Sequence, residues 1–403
     1  MRARRVAFFG LMAVMLLLLW YTGDALYFWI VMFELALLGI AGVNLAATLF
    51  GMKIHQTLEP PKCDKGGVST LRFTVANETV LPFAHLTLVY ETMETVFHGG
   101  AARVSVTLLP RRSATVSHQV PCHYRGVYHL GFKGLEVTDL FGLIHLRLGA
   151  EHFGYITPAE LLVYPRAGGL TPGAFLTDMD DAATAARVRR NEDLSSVEDL
   201  HVFRPGDPLK RAHWKLSARQ NALIIKEFEG AVSSDHAVFV DCSAHAFEGE
   251  EAAALEDTIC ECAATFCFNL TARFEKVRLL TISDGRQELR GSGPDDYAAM
   301  RELLARVKFQ GLFNIAEALG EERVSSAKIQ SLALITRNPT ELLFEQLIAL
   351  SEEGCRITLV IAVTDVNFDE RMVKMLGEFA MRGIDAITIF PGEEAAKRLG
   401  VSE

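Results

Sequence analysis

The sequence holds no GxxxxGK[ST] phosphate loop and no HExxH helix, so neither an ATPase nor a zinc protease has a basis in it. Its seven cysteines, Cys63, Cys122, Cys242, Cys260, Cys262, Cys267 and Cys355, include no CxxC pair, which argues against a zinc ribbon or a thioredoxin-type site. They are odd in number and scattered, with three close together on one amphipathic stretch. That pattern predicts reduced, buried thiols in a cytosolic compartment rather than a disulfide framework. A basic excess is also missing: 40 Lys and Arg against 50 Asp and Glu leave a formal charge of −10, the wrong sign for a dedicated nucleic-acid binder. His85, His98, His118, His123 and His129 have no ligand spacing and read as surface or strand-edge residues. Nothing points to a small-molecule substrate.

What the 403 residues do hold is apolar surface, 50% of the sequence, enough for two or three domains with proper cores. Val6 to Tyr21 is almost wholly apolar, and so is Ala25 to Phe50 apart from Glu34 and Asn44. With Thr22-Gly23-Asp24 between them, the two runs predict a helical hairpin over residues 1–53. A lone signal peptide is the alternative for the first run, but a second run long enough to span a core of about 30 Å follows at once. Arg2, Arg4 and Arg5 place the amino terminus in the cytoplasm, and Lys53, Lys62 and Lys65 return the chain to that side. The expectation is a two-pass anchor in the cytoplasmic (inner) membrane with the bulk in the cytosol. Glu34 is costly inside a span unless it faces a partner helix, so it reads as a packing residue.

Residues 54–167 change character. Val68–Val75, His85–Tyr90, Arg103–Leu108 and Ser113–Val120 alternate apolar and polar side chains, which predicts an antiparallel sandwich of immunoglobulin-like type. Tyr124-Arg125-Gly126-Val127-Tyr128 and Asp139-Leu-Phe141-Gly142-Leu143 frame a hairpin, and Leu162–Arg166 closes the domain. Residues 168–203, rich in Ala, Thr and Asp at their start, read as a linker or loop.

Residues 204–403 begin with RPGDPLKRAHWKLSARQNALIIKEFE, predicted to be a turn, a short basic helix from Lys210 to about Gln220 and a strand over Leu223–Glu229. Asp207, His213 and Ser217 could be imagined as a hydrolase arrangement. The alternative is stronger, because Ser217 lacks a nucleophile elbow and two members share one short helix. The run Arg187 to Lys226 is a local basic stripe, either a solvated face balanced by Glu192, Asp193, Glu198 and Asp199 or a docking surface for an acidic partner or anionic lipid heads. Beyond it, apolar strands at His236–Val240, Val277–Ile282, Ile329–Thr336, Arg356–Val363 and Ala386–Phe390 alternate with helical stretches, predicting a doubly wound, mostly parallel sheet. Asp241, Ser243, Asp284 and Thr336 fall at the carboxyl ends of strands, where ligands gather in such sheets.

The order RGVYHLG, DLFGL, VYPR, RPGDPLKRAHWKLSAR, LIIKEFE and a strand ending in Asp241-Cys-Ser243 resembles the membrane-anchored bacterial and archaeal proteins that carry domain of unknown function 58. The residues carrying the resemblance are Arg204, Gly206, Asp207, Trp214, Ser217, Ala218 and Arg219, with Arg211 and Lys215 in the same segment as candidate interface residues. The resemblance implies a cytosolic domain related to von Willebrand factor type A modules and a link to MoxR-type AAA+ ATPases, whose genes tend to lie beside those of the family. Such a module with a working metal site uses Asp-x-Ser-x-Ser, a loop Thr and a later Asp around Mg²⁺. This chain keeps Asp241 and Ser243, but has His245 for the second Ser, Phe313 for the Thr and Arg337 about where the Asp belongs. The expectation is a degenerate site with no metal, a weak Mg²⁺ site through Asp241, Ser243 and water being the alternative. Together these readings predict a non-enzymatic membrane-tethered adaptor that docks other proteins. The rivals are a hydrolase and a metal-dependent adhesion module.

Overall fold

The computed structural model describes residues 2–168, 197–202, 217, 224–228, 235–283, 285–312, 314–324, 329–364, 370–382 and 384–399. The chain forms two compact units, Met1–Tyr164 and Pro165–Glu403.

In the first unit the two apolar runs form α1 (Arg2–Thr22) and α2 (Ala25–Gly51). Asp24 starts α2 by accepting the Leu26 amide at 3.0 Å, the usual service of an Asp at a helix N-cap. Both helices are long and apolar enough to cross a membrane. Val31, Glu34, Ala41, Asn44 and Thr48 make the buried stripe of α2, and Glu34 is only 4% exposed. It therefore packs inward, the position read for it from the sequence.

Helix α2 passes without a linker into β1 (Met52–Glu59). The β-region thus begins earlier than its clearest alternating runs, because the apolar helix hides the short pattern Met52-Lys-Ile54-His. The other strands are β2 (Lys62–Asp64), β3 (Val68–Asn77), β4 (Phe83–Glu91), β5 (Ala102–Leu108), β6 (Ser113–Pro121), β7 (Gly126–Thr138), β8 (His145–Gly149) and β9 (Ala159–Tyr164). They make two sheets, β1-β3-β6 and β2-β9-β7-β4-β5, with β8 added on β7. Pairing is antiparallel except for β2 with β9. One core joins the two sheets, with Leu71, Phe73 and Val75 from the first and Leu86, Leu88, Leu130 and Leu161 from the second. A short helix α3 (Met93–His98), closed by a Thr92/Thr95 capping box, connects β4 to β5.

The second unit contains a small antiparallel pair, β10 (Val197–Val202) with β11 (Ile224–Phe228). Strand β11 lies where a strand was expected. Strand β10 lies within residues 168–203, which read from the sequence as linker or loop because Glu198 and Asp199 interrupt its apolar pattern.

The main sheet contains β12 (Asp235–Asp241), β13 (Val277–Ile282), β14 (Arg286–Gly291), β15 (Ile329–Thr336), β16 (Arg356–Ala362) and β17 (Asp385–Ile389). Their order is β14-β13-β12-β15-β16-β17, parallel except for the edge strand β14. Helices α4 (Gly249–Ala272), α5 (Pro294–Arg306) and α9 (Ala395–Leu399) cover one face, and α6 (Ile315–Val324), α7 (Glu341–Glu352) and α8 (Glu370–Met381) the other. This is a doubly wound α/β arrangement. Strand β14 was not anticipated, since half of it is Arg286, Glu288 and Arg290, and neither was α6, whose start reads as loop.

Candidate functional site

A doubly wound sheet places its ligand crevice where the strand order reverses. Here the reversal falls between β12 and β15, whose last residues are Asp241 and Thr336. Asp241 is 4% exposed. Its Oδ2 accepts the Thr336 hydroxyl at 2.7 Å and its Oδ1 accepts the Ser243 amide at 3.0 Å. The Thr336 oxygen in turn accepts the Asn338 amide at 3.1 Å. A buried carboxylate needs such partners to offset its lost hydration.

The loop after β12 is held by backbone. Ser243 forms an isolated parallel bridge with Gly311, and the Ala244 amide donates to the Gly311 carbonyl at 3.0 Å. A Cβ on Gly311 would stand 2.5 Å from the Ser283 carbonyl carbon and oxygen, so only glycine permits this approach. Ser283 donates its hydroxyl to the Lys308 carbonyl at 2.6 Å, tying the end of β13 to the same loop.

His245 lies beneath this edge with its side chain 5% exposed and Nε2 3.2 Å from the Glu256 carboxylate. The rings of Phe247 and Phe309 flank it, and Nδ1 has no hydrogen-bond partner. Arg337 instead reaches the Ala244 carbonyl at 3.4 Å. The structure therefore gathers Asp241, Ser243, Thr336 and Arg337 at one edge and turns His245 toward Glu256 on α4. The hydrogen bond from Thr336 to Asp241 and the need for Gly311 were not read from the sequence. In the sequence Thr336 reads only as a strand-end residue, and a glycine's close contact leaves no trace in local pattern.

Among the described residues, no group of three or more His, Cys, Asp or Glu side chains is placed to hold a metal ion. Arg204, Gly206, Asp207, Arg211, His213, Trp214, Lys215 and Arg219 lie outside the described residues, as do Asp284 and Phe313. Ser217 is described and half-buried.

A second polar cluster lies at the sheet edge. The Arg278 guanidinium, 4% exposed, pairs with Glu322, equally buried, and Glu322 also pairs with Arg286. Glu288 joins Arg286 at 3.0 Å and Arg290 at 2.7 Å. Burial works to raise the Glu288 carboxyl, but hydrogen bonds from Arg290 and Arg286 outweigh it and hold its pKa below the ordinary carboxylate value. These charges satisfy one another and fasten an edge strand that is otherwise polar.

The thiols are all free, with Cys63 half-buried and the other six buried. Burial pushes Cys122, Cys267 and Cys355 up to about 12 and raises Cys262 as well. Such groups are structural rather than nucleophilic.

The sequence profile of the family described as protein of unknown function DUF58 matches residues 199–374, from β10 into α8. The uncharacterized protein YeaD of Bacillus subtilis (strain 168) is 27% identical over 186 residues, covering 44% of this chain. Only 45% of YeaD is covered, so the chain spans about half the length of the curated relative it matches. Among solved structures, the minor pilin PilB of Streptococcus sanguinis has a TM-score of 0.26 at 11% identity, over 44% of this chain and 62% of its own. A CARDB domain from Pyrococcus furiosus scores 0.18 at 11% identity, over 28% and 89%. Scores this low carry no argument.

Proposed function

We propose that the chain is a non-enzymatic, membrane-tethered scaffold whose second unit docks other proteins. The observation that carries this reading is the union of hairpin and β-body: α2 runs directly into β1, and Asn44 of α2 donates to the Pro82 carbonyl at 3.0 Å. A signal sequence destined for removal has no reason to be built into the domain that follows it. The β-body, which resembles an immunoglobulin-like sandwich, then serves as a spacer on the face of a cytoplasmic membrane. The parallel sheet is a relative of von Willebrand factor type A modules in which the acidic residue at the strand reversal is given over to hydrogen bonds with Ser243 and Thr336. The partner class is a MoxR-type AAA+ ATPase.

The test is affinity capture of the full chain from a mild-detergent extract, with bound proteins identified by mass spectrometry. Enrichment of an AAA+ ATPase over a hairpin-only bait supports the proposal. Recovery of intact, folded bait with no AAA+ ATPase in repeated captures overturns the partner assignment.

A further inference from the structure

The membrane-proximal end of the β-body carries an apolar and basic rim that the anchor alone does not require. Three connections share that end. The loop 78–82 joins β3 to β4, the loop 109–112 joins β5 to β6, and the turn 139–144 joins β7 to β8. Register puts them together: Asn77 at the end of β3 pairs with Met52, the first residue after α2, while Phe83 pairs with Leu108 and His85 with Thr138. Backbone bonds fasten them further, with the Glu78 amide on the Gly51 carbonyl at 2.9 Å and the Arg111 amide on the Thr79 carbonyl at 3.2 Å.

Each connection exposes large apolar side chains. Val80 is 69% exposed and Leu109 66%, and Leu140 and Phe141 are exposed at the third turn. That turn is rigid: Asp139, buried, accepts the Phe141 amide at 3.0 Å and the Ile144 amide at 2.6 Å, and Gly142 takes φ +73°. The fold thus spends a buried carboxylate on presenting two apolar side chains outward. Arg111 and Arg112 on the second connection are both exposed, and Lys53 pairs with Glu78 at 2.7 Å.

Depth follows from helix geometry. From Ala25 to Asn44, α2 rises about 30 Å at ~1.5 Å per residue, the thickness of a hydrocarbon core. Asn44 is the residue bonded to Pro82, so a hydrocarbon core that begins at Ala25 ends level with Pro82.

Resting on the tethered reading above, we propose that these three connections form a bilayer-contact surface, with Val80, Leu109, Leu140 and Phe141 entering the interface and Arg111 and Arg112 meeting anionic lipid headgroups. Apolar side chains rimmed by arginine are what an interfacial surface presents, and a basic residue at an anionic surface is favoured by about fivefold in partitioning. The surface fixes the β-body against the membrane instead of leaving it to pivot on α2.

The test uses the full chain in lipid nanodiscs, in a Cys63→Ala background, with a nitroxide at Val80→Cys, Leu109→Cys or Phe141→Cys. Leu17→Cys in α1 and Val96→Cys at the far end of the β-body serve as references. Collision with oxygen is compared with collision with an aqueous nickel chelate. The expected result is oxygen-dominated relaxation at 80, 109 and 141, chelate-dominated relaxation at 96, and a shift toward greater depth when phosphatidylglycerol replaces phosphatidylcholine. Arg111→Glu with Arg112→Glu should abolish that shift. Labels at 80, 109 and 141 as chelate-accessible as the one at 96, with the label at 17 still in lipid, overturn the surface and leave the anchor intact. A chelate-accessible label at 17 removes the anchor itself.

Discussion

Asp241 and Thr336, 95 residues apart in sequence, are joined by a 2.7 Å hydrogen bond across the point where the strand order of the parallel sheet reverses. The bond lies at the position at which folds of this kind hold a ligand. Thr336→Val preserves shape but leaves the buried Asp241 Oδ2 without its donor, and a loss of about 1–3 kcal/mol is expected. Thr336→Ser should stay near wild type. Denaturant midpoints of the full chain in detergent measure both, and equal midpoints for the Val and Ser variants would show that the bond contributes nothing.

Gly311→Ala places a Cβ 2.5 Å from the Ser283 backbone, which cannot swing aside as a side chain would. Overpacking of this kind costs about 1–3 kcal/mol. Hydrogen exchange should quicken at Ala244 and Gly311, whose amides close the loop, and unchanged protection there would refute the close approach.

Glu288 gives a pH dependence of known sign. Its carboxyl is held low because hydrogen bonds from Arg290 and Arg286 overcome the effect of burial. A depressed carboxylate contributes stability that is fully present above its unfolded-state pKa and disappears as the pH falls through the lower folded-state value. The melting temperature should therefore fall on acidification below the ordinary carboxylate range, and Glu288→Gln should flatten part of that slope. A slope identical in the variant would assign the acid sensitivity elsewhere.

The cysteines predict a labelling pattern. With a thiol pKa of about 12 at Cys122, Cys267 and Cys355, only about one molecule in ten thousand holds a thiolate at pH 8. Iodoacetamide should modify the half-buried Cys63 first, and these three only after denaturation. Rapid alkylation of Cys267 in the folded chain would contradict its place in the core.

Much of this architecture is legible in the residues. The apolar runs around Thr22-Gly23-Asp24 give α1 and α2, alternation gives β3 to β6, and the five apolar strands after His236 give the parallel sheet. What stayed hidden has physical reasons. Strand β14 carries Arg286, Glu288 and Arg290, which pair with one another and, through Arg286, with Glu322 on α6, so its charge pattern reads as loop. Strand β1 is masked by the helix it continues. At the site, Asp241 and Ser243 were visible as a motif, while the Thr336 bond depends on which strands become neighbours. That order is set by crossover connections rather than by either residue's surroundings in sequence.

Single-sided tethering is the claim on which scaffold and surface both stand, and impermeant maleimide labelling measures it. In intact cells expressing the full chain with Cys63→Ala, a thiol at the hairpin turn, Thr22→Cys, and one on the β-body, Val96→Cys, are compared before and after lysis. Cys at position 22 is expected to be labelled from outside and Cys at position 96 only after lysis. Labelling of both from outside, or of 96 alone, would contradict it.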